Sequence, residues 1–302
     1  MNKLLTIVFN SYFSRESLKK VLKNLNNYKV IIIENSLELS LKLELEKKYK
    51  NVRVVLPKEN LGTSKGFNLG IKLATTKYVF INNPDIKINA ASINQLLLCA
   101  QRIKKFALLA PTYSIEKIHK NYDNKDQKIK NSSLTFKKYN ILSVNWIDNN
   151  FLVNKKLIKK NFFDENFFLY FESIDFCLNL RRKKMDLLVS KKIKFKHYGS
   201  KSTDVKYKDV VTLSRAWHYN WSKFYYYRKN FTYIYAVARI LPNFIQAIKK
   251  IFINLVTLNG FNLYLSFIEI YGIISSMLCL NSFYRPQQKN NFFKIYRLFK
   301  KS

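Results

Sequence analysis

The amino-acid sequence predicts an α/β fold with a mostly parallel central sheet, followed by a helical region rich in basic and aromatic residues. Two observations lead to this prediction. Between residues 4 and 81, short apolar runs alternate with segments of helical periodicity, which is typical of parallel sheets with right-handed crossovers. Residues 206–302 differ in composition, because they contain 15 Lys or Arg and only two acidic residues. We therefore expect two domains, residues 1–205 and residues 206–302.

The elements of the first domain follow from the spacing of its apolar residues. Four β-rich runs predict strands at residues 4–9, 30–33, 52–56 and 78–81. The segments between them have helical periodicity and predict helices at residues 14–25, 39–49 and 67–74. Ligands of such sheets bind at the carboxyl ends of the strands, which is where Glu34 and Asp85 fall.

The strongly basic composition indicates an anionic partner. Lys and Arg number 54 against 19 acidic residues, which gives a formal net charge of +35. This excess suits nucleic acid, an anionic membrane surface or phosphorylated substrates, and it is also how a Lys-rich chain solvates its faces. No RNA- or DNA-binding signature accompanies the charge, so we expect no nucleic-acid partner.

The cysteines and the N-terminus indicate the compartment. The three cysteines lie far apart without a CxxC pair, which argues against a zinc site or a disulfide framework and favours a reducing environment. The N-terminal apolar run is too short for a signal peptide and predicts a first strand. We therefore expect the protein to act in the cytoplasm.

Three glycines at every fourth position open the helix that follows the third strand. Gly62, Gly66 and Gly70 form a GxxxGxxxG pattern, which differs from the dinucleotide-binding fingerprint in spacing and in position. Glycine permits the close approach of a phosphate to a helix N-terminus. Small residues on one helix face equally favour close packing, and the sequence leaves both interpretations open.

Acidic residues and one histidine stand where a metal ion and a base would be needed. Asp85 directly follows a buried strand, where a carboxylate suits Mg²⁺ or Mn²⁺ bridging two phosphates; an Asx-Pro turn is the alternative. Glu172 and Asp175 lie at a predicted helix start, where neighbouring aromatic residues would raise a carboxyl pKa towards that of a base; the acidic preference of helix N-termini is the alternative. His197 ends a strand-like segment and is either a ligand or structural.

The order of these motifs resembles the family 2 glycosyltransferases, inverting enzymes of the GT-A fold, and among them the bacterial rhamnosyl- and galactofuranosyltransferase-like group. The resemblance covers residues 4–203. The segments that carry it are Glu34-Asn35-Ser36, Asn60-Leu61-Gly62 with Gly66-Phe67-Asn68 and Gly70, Asn83-Pro84-Asp85, Phe163-Asp164-Glu165 with Tyr170-Phe171-Glu172 and Asp175, and His197.

The resemblance implies a role for each matching residue. Glu34 would recognise the nucleotide base, and Asp85 and His197 would hold a divalent cation, Mg²⁺ or Mn²⁺. Glu172 and Asp175 would be the catalytic carboxylates. Trp146 and Asp148 would contact the sugar or the acceptor. The residues expected to bind the nucleotide sugar, besides Glu34, are Asn10, Asn60, Gly62, Gly66, Asn68 and Asn83.

The chain departs from the family pattern at three places. Ser173 stands where the family has the middle acid that is often taken as the general base, so either Glu172 or Asp175 serves or the enzyme is impaired. Asn149-Asn150 replaces a common Gly-Ala pair near the sugar and the acceptor. Glu34 replaces the usual aspartate of the base-recognising turn.

The implied function is inverting transfer of a sugar from a nucleoside-diphosphate donor to a lipid-linked or cell-envelope glycan, as in polysaccharide or O-antigen biosynthesis. The basic, aromatic C-terminal region would then dock on the anionic inner face of the cytoplasmic membrane. Residues 251–280 contain a single charged residue, Glu269, and their asparagines favour packed or interfacial helices over a membrane-inserted one. The alternatives are a nucleotidyltransferase, or a catalytically impaired membrane- or nucleic-acid-binding protein on the same scaffold.

Overall fold

The computed structural model describes residues 2–103, 105–114, 121–123, 134–158, 162–197 and 203–285. The chain divides into two compact units. The first unit comprises Met1–Asp164 and Glu172–Asp204, and the second comprises Glu165–Phe171 and Val205–Ser302. A short segment before Glu172 therefore belongs to the second unit, whereas the sequence predicts a single boundary at residue 205.

The first unit is built on a sheet of nine strands within the described residues, in the order β3-β2-β1-β4-β8-β6-β9-β5, with β7 paired to β9. Six of these strands run in one direction, and β5, β7 and β8 are reversed. The strands are β1 (Leu5–Ser11), β2 (Lys29–Glu34), β3 (Val52–Val55), β4 (Tyr78–Asn82), β5 (Ile86–Lys87), β6 (Leu108–Tyr113), β7 (Ile141–Ser143), β8 (Phe151–Asn154) and β9 (Leu187–His197).

Helices cover both faces of this sheet. They are α1 (Arg15–Leu22), α2 (Leu39–Lys48), α3 (Gly62–Leu73), α4 (Ala90–Arg102), α5 (Leu134–Tyr139) and α6 (Glu172–Arg182). One apolar core lies under α1, α2 and α4, and a second lies under α3 and α6. Strands buried on both faces are continuous apolar runs, as in residues 30–33 of β2.

The predicted order of strands and helices over residues 4–81 is confirmed, and the main difference concerns α3. The apolar periodicity predicts this helix at residues 67–74, whereas it begins at Gly62, the first of the three glycines expected to open it. Its first turn contains Gly62, Thr63 and Ser64, which are poor helix formers, so periodicity alone places the start too late. The N-terminus of α3 therefore lies at the end of β1, where Asn10 donates a 3.0 Å hydrogen bond to the carbonyl of Gly62.

The second unit consists of three long helices and the segment Glu165–Phe171. The helices are α7 (Lys208–Asn230), α8 (Tyr233–Val256) and α9 (Gly260–Met277), preceded by a single 3₁₀ turn at Val205–Tyr207. Trp217 and Trp221 of α7 are buried and stack with their ring centroids 6.2 Å apart. Trp221 Nε1 also donates a 3.1 Å hydrogen bond to the carbonyl of Leu280. These contacts hold the chain after α9 against α7.

Residues 251–280 form parts of two packed helices. The chain turns at 257–259 between α8 and α9, and Lys250 of α8 pairs with Glu269 of α9 at 2.8 Å. No helix in the described part of the chain combines the length and the apolar character that a membrane crossing requires. Of the two alternatives for this segment, packed helices and a membrane-inserted helix, the structure has the packed helices.

Gly272 permits the closest approach between α7 and α9. A Cβ added there would lie 2.4 Å from the carbonyl oxygen of Trp217, and that oxygen belongs to a helix backbone that cannot move alone. We expect Gly272→Ala to lower the free energy of unfolding by about 1–3 kcal/mol, despite the better helix propensity of alanine. Urea denaturation followed by circular dichroism measures this change. Gly260→Ala, at the partly exposed start of α9, is the control and should be neutral or stabilising, and equal effects would contradict the packing argument.

Candidate active site

Asparagine side chains join the carboxyl ends of β1 and β2 to the start of α3. Asn35 donates a 2.7 Å hydrogen bond to Oδ1 of Asn10, whose Nδ2 donates to the carbonyl of Gly62 at 3.0 Å. The backbone N–H of Leu61 donates to Oδ1 of Asn35 at 2.9 Å. Asn60 accepts from the N–H of Gly62 at 2.9 Å. The structure therefore brings together Asn10, Asn60 and Gly62, and their binding of a nucleotide sugar stays a prediction.

Glu34, the predicted base-recognising residue, is buried at the end of β2. Its Oε1 accepts a 2.9 Å hydrogen bond from the N–H of Ser36 and a second one from the Ser36 hydroxyl. Burial raises the pKa of Glu34, and the two hydrogen bonds from Ser36 partly oppose this. The carboxyl group thus shapes the turn that follows β2, and its contact with a base stays a prediction.

The glycine pattern of α3 has a packing role at two of its three positions. A Cβ at Gly66 would lie 2.1 Å from Oδ1 of Asn10, and one at Gly70 would lie 2.3 Å from Cγ1 of Val8. Both glycines therefore let α3 lie against β1. Gly62 has a φ of 68°, a conformation that glycine adopts without strain. Of the two interpretations left open by the sequence, close packing applies to Gly66 and Gly70.

Asn68, predicted to bind the nucleotide sugar, ties α3 to a distant loop. Its Nδ2 donates to the carbonyl of Phe163 at 2.9 Å, and its Oδ1 accepts from the Phe163 N–H at 3.0 Å. Phe163 is buried against Phe176 of α6, with ring centroids 4.9 Å apart. Through these contacts Asn68 positions the chain that leads towards α6.

Glu172 is the first residue of α6 and is buried at the candidate site. Tyr170 and Phe171, directly before it, have φ values of 69° and 63°, so the chain turns sharply before the helix begins. Oε1 of Glu172 accepts a hydrogen bond from Nδ2 of Asn149, whereas Oε2 has no hydrogen-bond partner within the described residues. Burial, aided by the charge of Asp148 and partly opposed by hydrogen bonds, raises the pKa of Glu172 to about 7. A carboxyl group that titrates near neutrality is suited to general base catalysis.

Asp175 and Ser173 are also buried in the first turn of α6. Oδ2 of Asp175 accepts a 3.0 Å hydrogen bond from Asn179, one turn further along the helix. Asp175 thus has a partner on its own helix, whereas the Glu172 carboxyl is held from outside the helix by Asn149. This difference favours Glu172 over Asp175 as the residue that exchanges a proton.

The loop 144–150 joins the end of β4 to Glu172. Asn83 donates a 3.4 Å hydrogen bond to the carbonyl of Asn149, and Oδ1 of Asp148 accepts from the Asn149 N–H at 2.8 Å. Trp146 is partly buried against the core, and its Nε1 lacks a hydrogen-bond partner among the described residues. The loop thus brings Asn83, Asp148 and Glu172 together, with Asn149 between them.

Tyr113 is a residue that the sequence did not single out. It is buried at the end of β6, where burial raises the pKa of its hydroxyl and the charges of Asp148 and Asp85 raise it further. The negative charges of both acids therefore disfavour ionisation of the same tyrosine hydroxyl. The signal in the sequence was weak, because Pro111 and Thr112 interrupt the apolar run that would have marked the strand end.

Asp85 lies in the turn between β4 and β5, and its side chain is only 7% exposed. The next residue, Ile86, pairs with His197 in the β5–β9 ladder. The backbones of Asp85 and His197, the two predicted ligands, are therefore close together. Within the described residues, no three His, Cys, Asp or Glu side chains form a group that could hold a metal ion. The Asp85 carboxylate nevertheless suits Mg²⁺ or Mn²⁺, for which substrate phosphates would supply further oxygen ligands.

A cavity of about 590 Å³ opens beside Asp85 and is lined by α1 and the turn before β5. Its lining includes Lys20, Lys23 and Lys87, and Glu172 is not part of it. Three ammonium groups next to a candidate metal ligand favour anions on this side of Asp85. The Glu172 carboxyl and this basic cavity are therefore separate features of the first unit.

Comparisons with known proteins agree with this architecture. The S. aureus TarS 1-349 structure is 15% identical over 91% of this chain and 90% of that chain, with a TM-score of 0.50. The mannosyltransferase PcManGT from Pyrobaculum calidifontis, in complex with GDP-Man and Mn²⁺, is 9% identical over 90% and 86% of the two chains, with a TM-score of 0.53. A further TarS 1-349 structure, in complex with UDP, is 14% identical over 91% and 90%, with a TM-score of 0.50. Identities this low show the fold alone, and a search of curated proteins gave no match.

The fold is that of the GT-A glycosyltransferases, with a mostly parallel sheet and a helical C-terminal region. The sequence model described as glycosyl transferase family 2 matches residues 5–162, which is more than half of the chain. This protein belongs to glycosyl transferase family 2. The resemblance and the fold class predicted from the sequence are thereby confirmed, and glycosyl transfer is the activity that the family supports.

Proposed function

We propose that this protein is an inverting glycosyltransferase, of hexosyl or rhamnosyl type, that uses a nucleoside-diphosphate sugar. The observation that carries the proposal is the Glu172 carboxyl group, which is buried, has a pKa raised to about 7, and has one oxygen without a partner among the described residues. Family membership supports glycosyl transfer, and this carboxyl supplies a base for a single displacement.

In the proposed reaction, the unpartnered oxygen of Glu172 takes the proton of an acceptor hydroxyl. The acceptor oxygen attacks the anomeric carbon as the bond from that carbon to the diphosphate breaks, so the configuration inverts and a nucleoside diphosphate leaves. Asn149 holds the other carboxyl oxygen and thereby orients the base. Asp175 is the second catalytic carboxylate and lies in the same first turn of α6. Trp146 and Asp148 contact the sugar or the acceptor.

The donor is proposed to bind at the carboxyl ends of β1, β2 and β4. Support comes from the network of Asn10, Asn35 and Gly62, which fixes the N-terminus of α3, where backbone N–H groups favour phosphate. Glu34 would face the base. Asp85 and His197 would hold Mg²⁺ or Mn²⁺, which when bound neutralises charge on the departing diphosphate.

The acceptor is proposed to be a lipid-linked or cell-envelope glycan at the cytoplasmic face of the membrane. The basic composition of residues 206–302 supports this, because Lys and Arg are attracted to anionic lipid. The enzyme would then be a cytoplasmic protein held peripherally at the membrane and act in polysaccharide or O-antigen synthesis. The competing candidate is a catalytically impaired binding protein, which the buried Ser173 at the usual position of the base favours.

Thermal-shift screening against nucleoside-diphosphate sugars, with and without Mn²⁺, tests the proposal. We expect one donor to stabilise the protein in the presence of Mn²⁺, by about 2.7 kcal/mol when its concentration is a hundredfold above Kd. Product analysis should then show slow hydrolysis of that donor. Free sugars and nucleoside monophosphates are the controls. Stabilisation without hydrolysis or transfer would support the impaired binding protein, and no stabilisation by any donor would refute the proposed function.

A further inference from the structure

The second unit exposes an unusual amount of apolar surface. Of the 24 large apolar side chains that are exposed in the described residues, 17 lie between Phe231 and Phe283. Single exposed apolar side chains are normal on a protein surface, whereas a contiguous group marks an interaction site. The concentration in α8, α9 and their ends therefore needs a partner.

Many of these side chains form one stripe along α8. Ile234, Leu241, Ile245, Phe252 and Val256 recur at intervals of four or seven residues, which places them on one face of the helix. Ile234 is 82% exposed, Phe252 65% and Val256 85%. Ala236, Ile240 and Ala247 are buried on the opposite side, against the rest of the unit. At 1.5 Å per residue, the stripe extends for about 33 Å.

Leu258 is a further exposed apolar residue, two positions after Val256, the last residue of α8 and of the stripe. It is 89% exposed and has a φ of 50°. This left-handed position after a helix usually holds glycine or asparagine, because a branched side chain is strained there. A leucine at this place is unfavourable in water both for its backbone and for its side chain. Its presence is accounted for if the side chain leaves water when a partner binds.

The charge of the unit identifies the partner. The described part of the second unit contains ten Lys or Arg and three acidic residues, Glu165, Asp209 and Glu269. Lys249 lies beside the stripe and makes no ion pair with a described residue. A second copy of this strongly basic chain would be repelled, and a nucleic acid would leave the apolar side chains in water. An anionic lipid surface meets both requirements, because it offers negative headgroups above an apolar layer.

We propose that α8 lies flat in the interface of an anionic membrane, with the stripe and Leu258 inserted among the acyl chains. Amphipathic helices of this kind enter about 5–10 Å, which is less than a membrane crossing. Lys249, which lines the same surface as Leu241 and Ile245, then reaches the headgroups. This inference rests on the proposed function only in that it would bring the enzyme to a lipid-linked acceptor.

Co-sedimentation of the full chain with phosphatidylglycerol and phosphatidylcholine vesicles, without any donor or acceptor, tests this proposal. We expect wild type to bind the anionic vesicles, to bind neutral ones at least ~10-fold less, and to retain part of its binding in high salt, where charge attraction is screened. Leu258→Asn should keep the fold, because asparagine tolerates the left-handed backbone, and should lower binding several-fold. Phe252→Gln with Val256→Gln should lower it at least ~10-fold.

Two matched controls separate this surface from general effects of the substitutions. Leu37→Asn replaces another exposed leucine with a φ of 61°, in the first unit. Leu43→Gln replaces an exposed helical leucine in α2. Both should bind vesicles as wild type does. The proposal is overturned if wild type ignores anionic vesicles, if the stripe variants bind as well as the controls, or if ultracentrifugation shows wild-type dimers that the stripe variants abolish. Donor stabilisation is measured separately, so a failed donor screen and failed vesicle binding are distinguishable.

Discussion

Glu172→Gln should lower turnover at least ~100-fold and leave donor affinity nearly unchanged, since general base catalysis typically contributes this much. Glutamine has almost the same shape as glutamate and can still meet Asn149, but it cannot take a proton from an acceptor hydroxyl. Single-turnover kinetics with a saturating donor measures the chemical step, and product release is then excluded as the cause. Near wild-type turnover in this variant would show that the base lies elsewhere.

The pH dependence of the wild-type enzyme should carry the same signature. A base must be deprotonated to act, and burial raises the pKa of Glu172 to about 7. Turnover should therefore rise as the pH increases through about 7 and level off above it. The residual activity of Glu172→Gln should lack this rise. If the turnover of the wild type instead rises at a pH of about 4.3, the ordinary carboxyl pKa, the active carboxyl group is in a solvated environment and the prediction is wrong.

Neighbouring variants decide between the two carboxylates. Asp175→Asn should have a smaller effect on turnover, because Asp175 has a partner on its own helix, in Asn179. A larger loss from Asp175→Asn than from Glu172→Gln would reverse the assignment. Ser173→Asp restores the acid that the family commonly has, and a strong increase in activity would show that the natural enzyme is impaired at this position.

Asp85→Asn should abolish the Mn²⁺ dependence of nucleoside-diphosphate binding while the fold stays intact. The amide keeps the size of the side chain, but it lacks the negative charge that a hard divalent cation requires. Titration calorimetry with the diphosphate, with and without Mn²⁺, gives the metal-dependent part of the affinity directly. A loss of about tenfold or more in that part is expected.

Asp186→Asn is the matched control for this experiment. Asp186 directly precedes β9, whose other end is His197, so it lies about 35 Å from the predicted ligands along an extended strand. It should retain the full metal dependence. Metal dependence that survives in Asp85→Asn to the same extent would exclude Asp85 as a ligand.

The first half of the sheet could be predicted from the sequence, because β1, β2 and β4 are continuous apolar runs between segments of clear helical periodicity. The start of α6 at Glu172 could also be predicted from the sequence. The glycines of α3 could not be interpreted from the sequence, since Gly66 and Gly70 are required by Asn10 and Val8, which lie on another element. Tyr113 was missed, and the contact of Asn149 with Glu172 was not predicted, because both depend on residues far away in the chain.

The antiparallel direction of β8 limits where insertions and deletions can arise during the evolution of this protein. Ile81 of β4 pairs with Phe151 of β8, so the residues after β4 meet those before β8. A one-residue insertion or deletion inside β8 would turn every following side chain to the other face of the sheet. Length changes earlier in the loop, before Trp146, would spare that pairing. The loop therefore tolerates changes in length, while β8 itself tolerates substitution but no change in length.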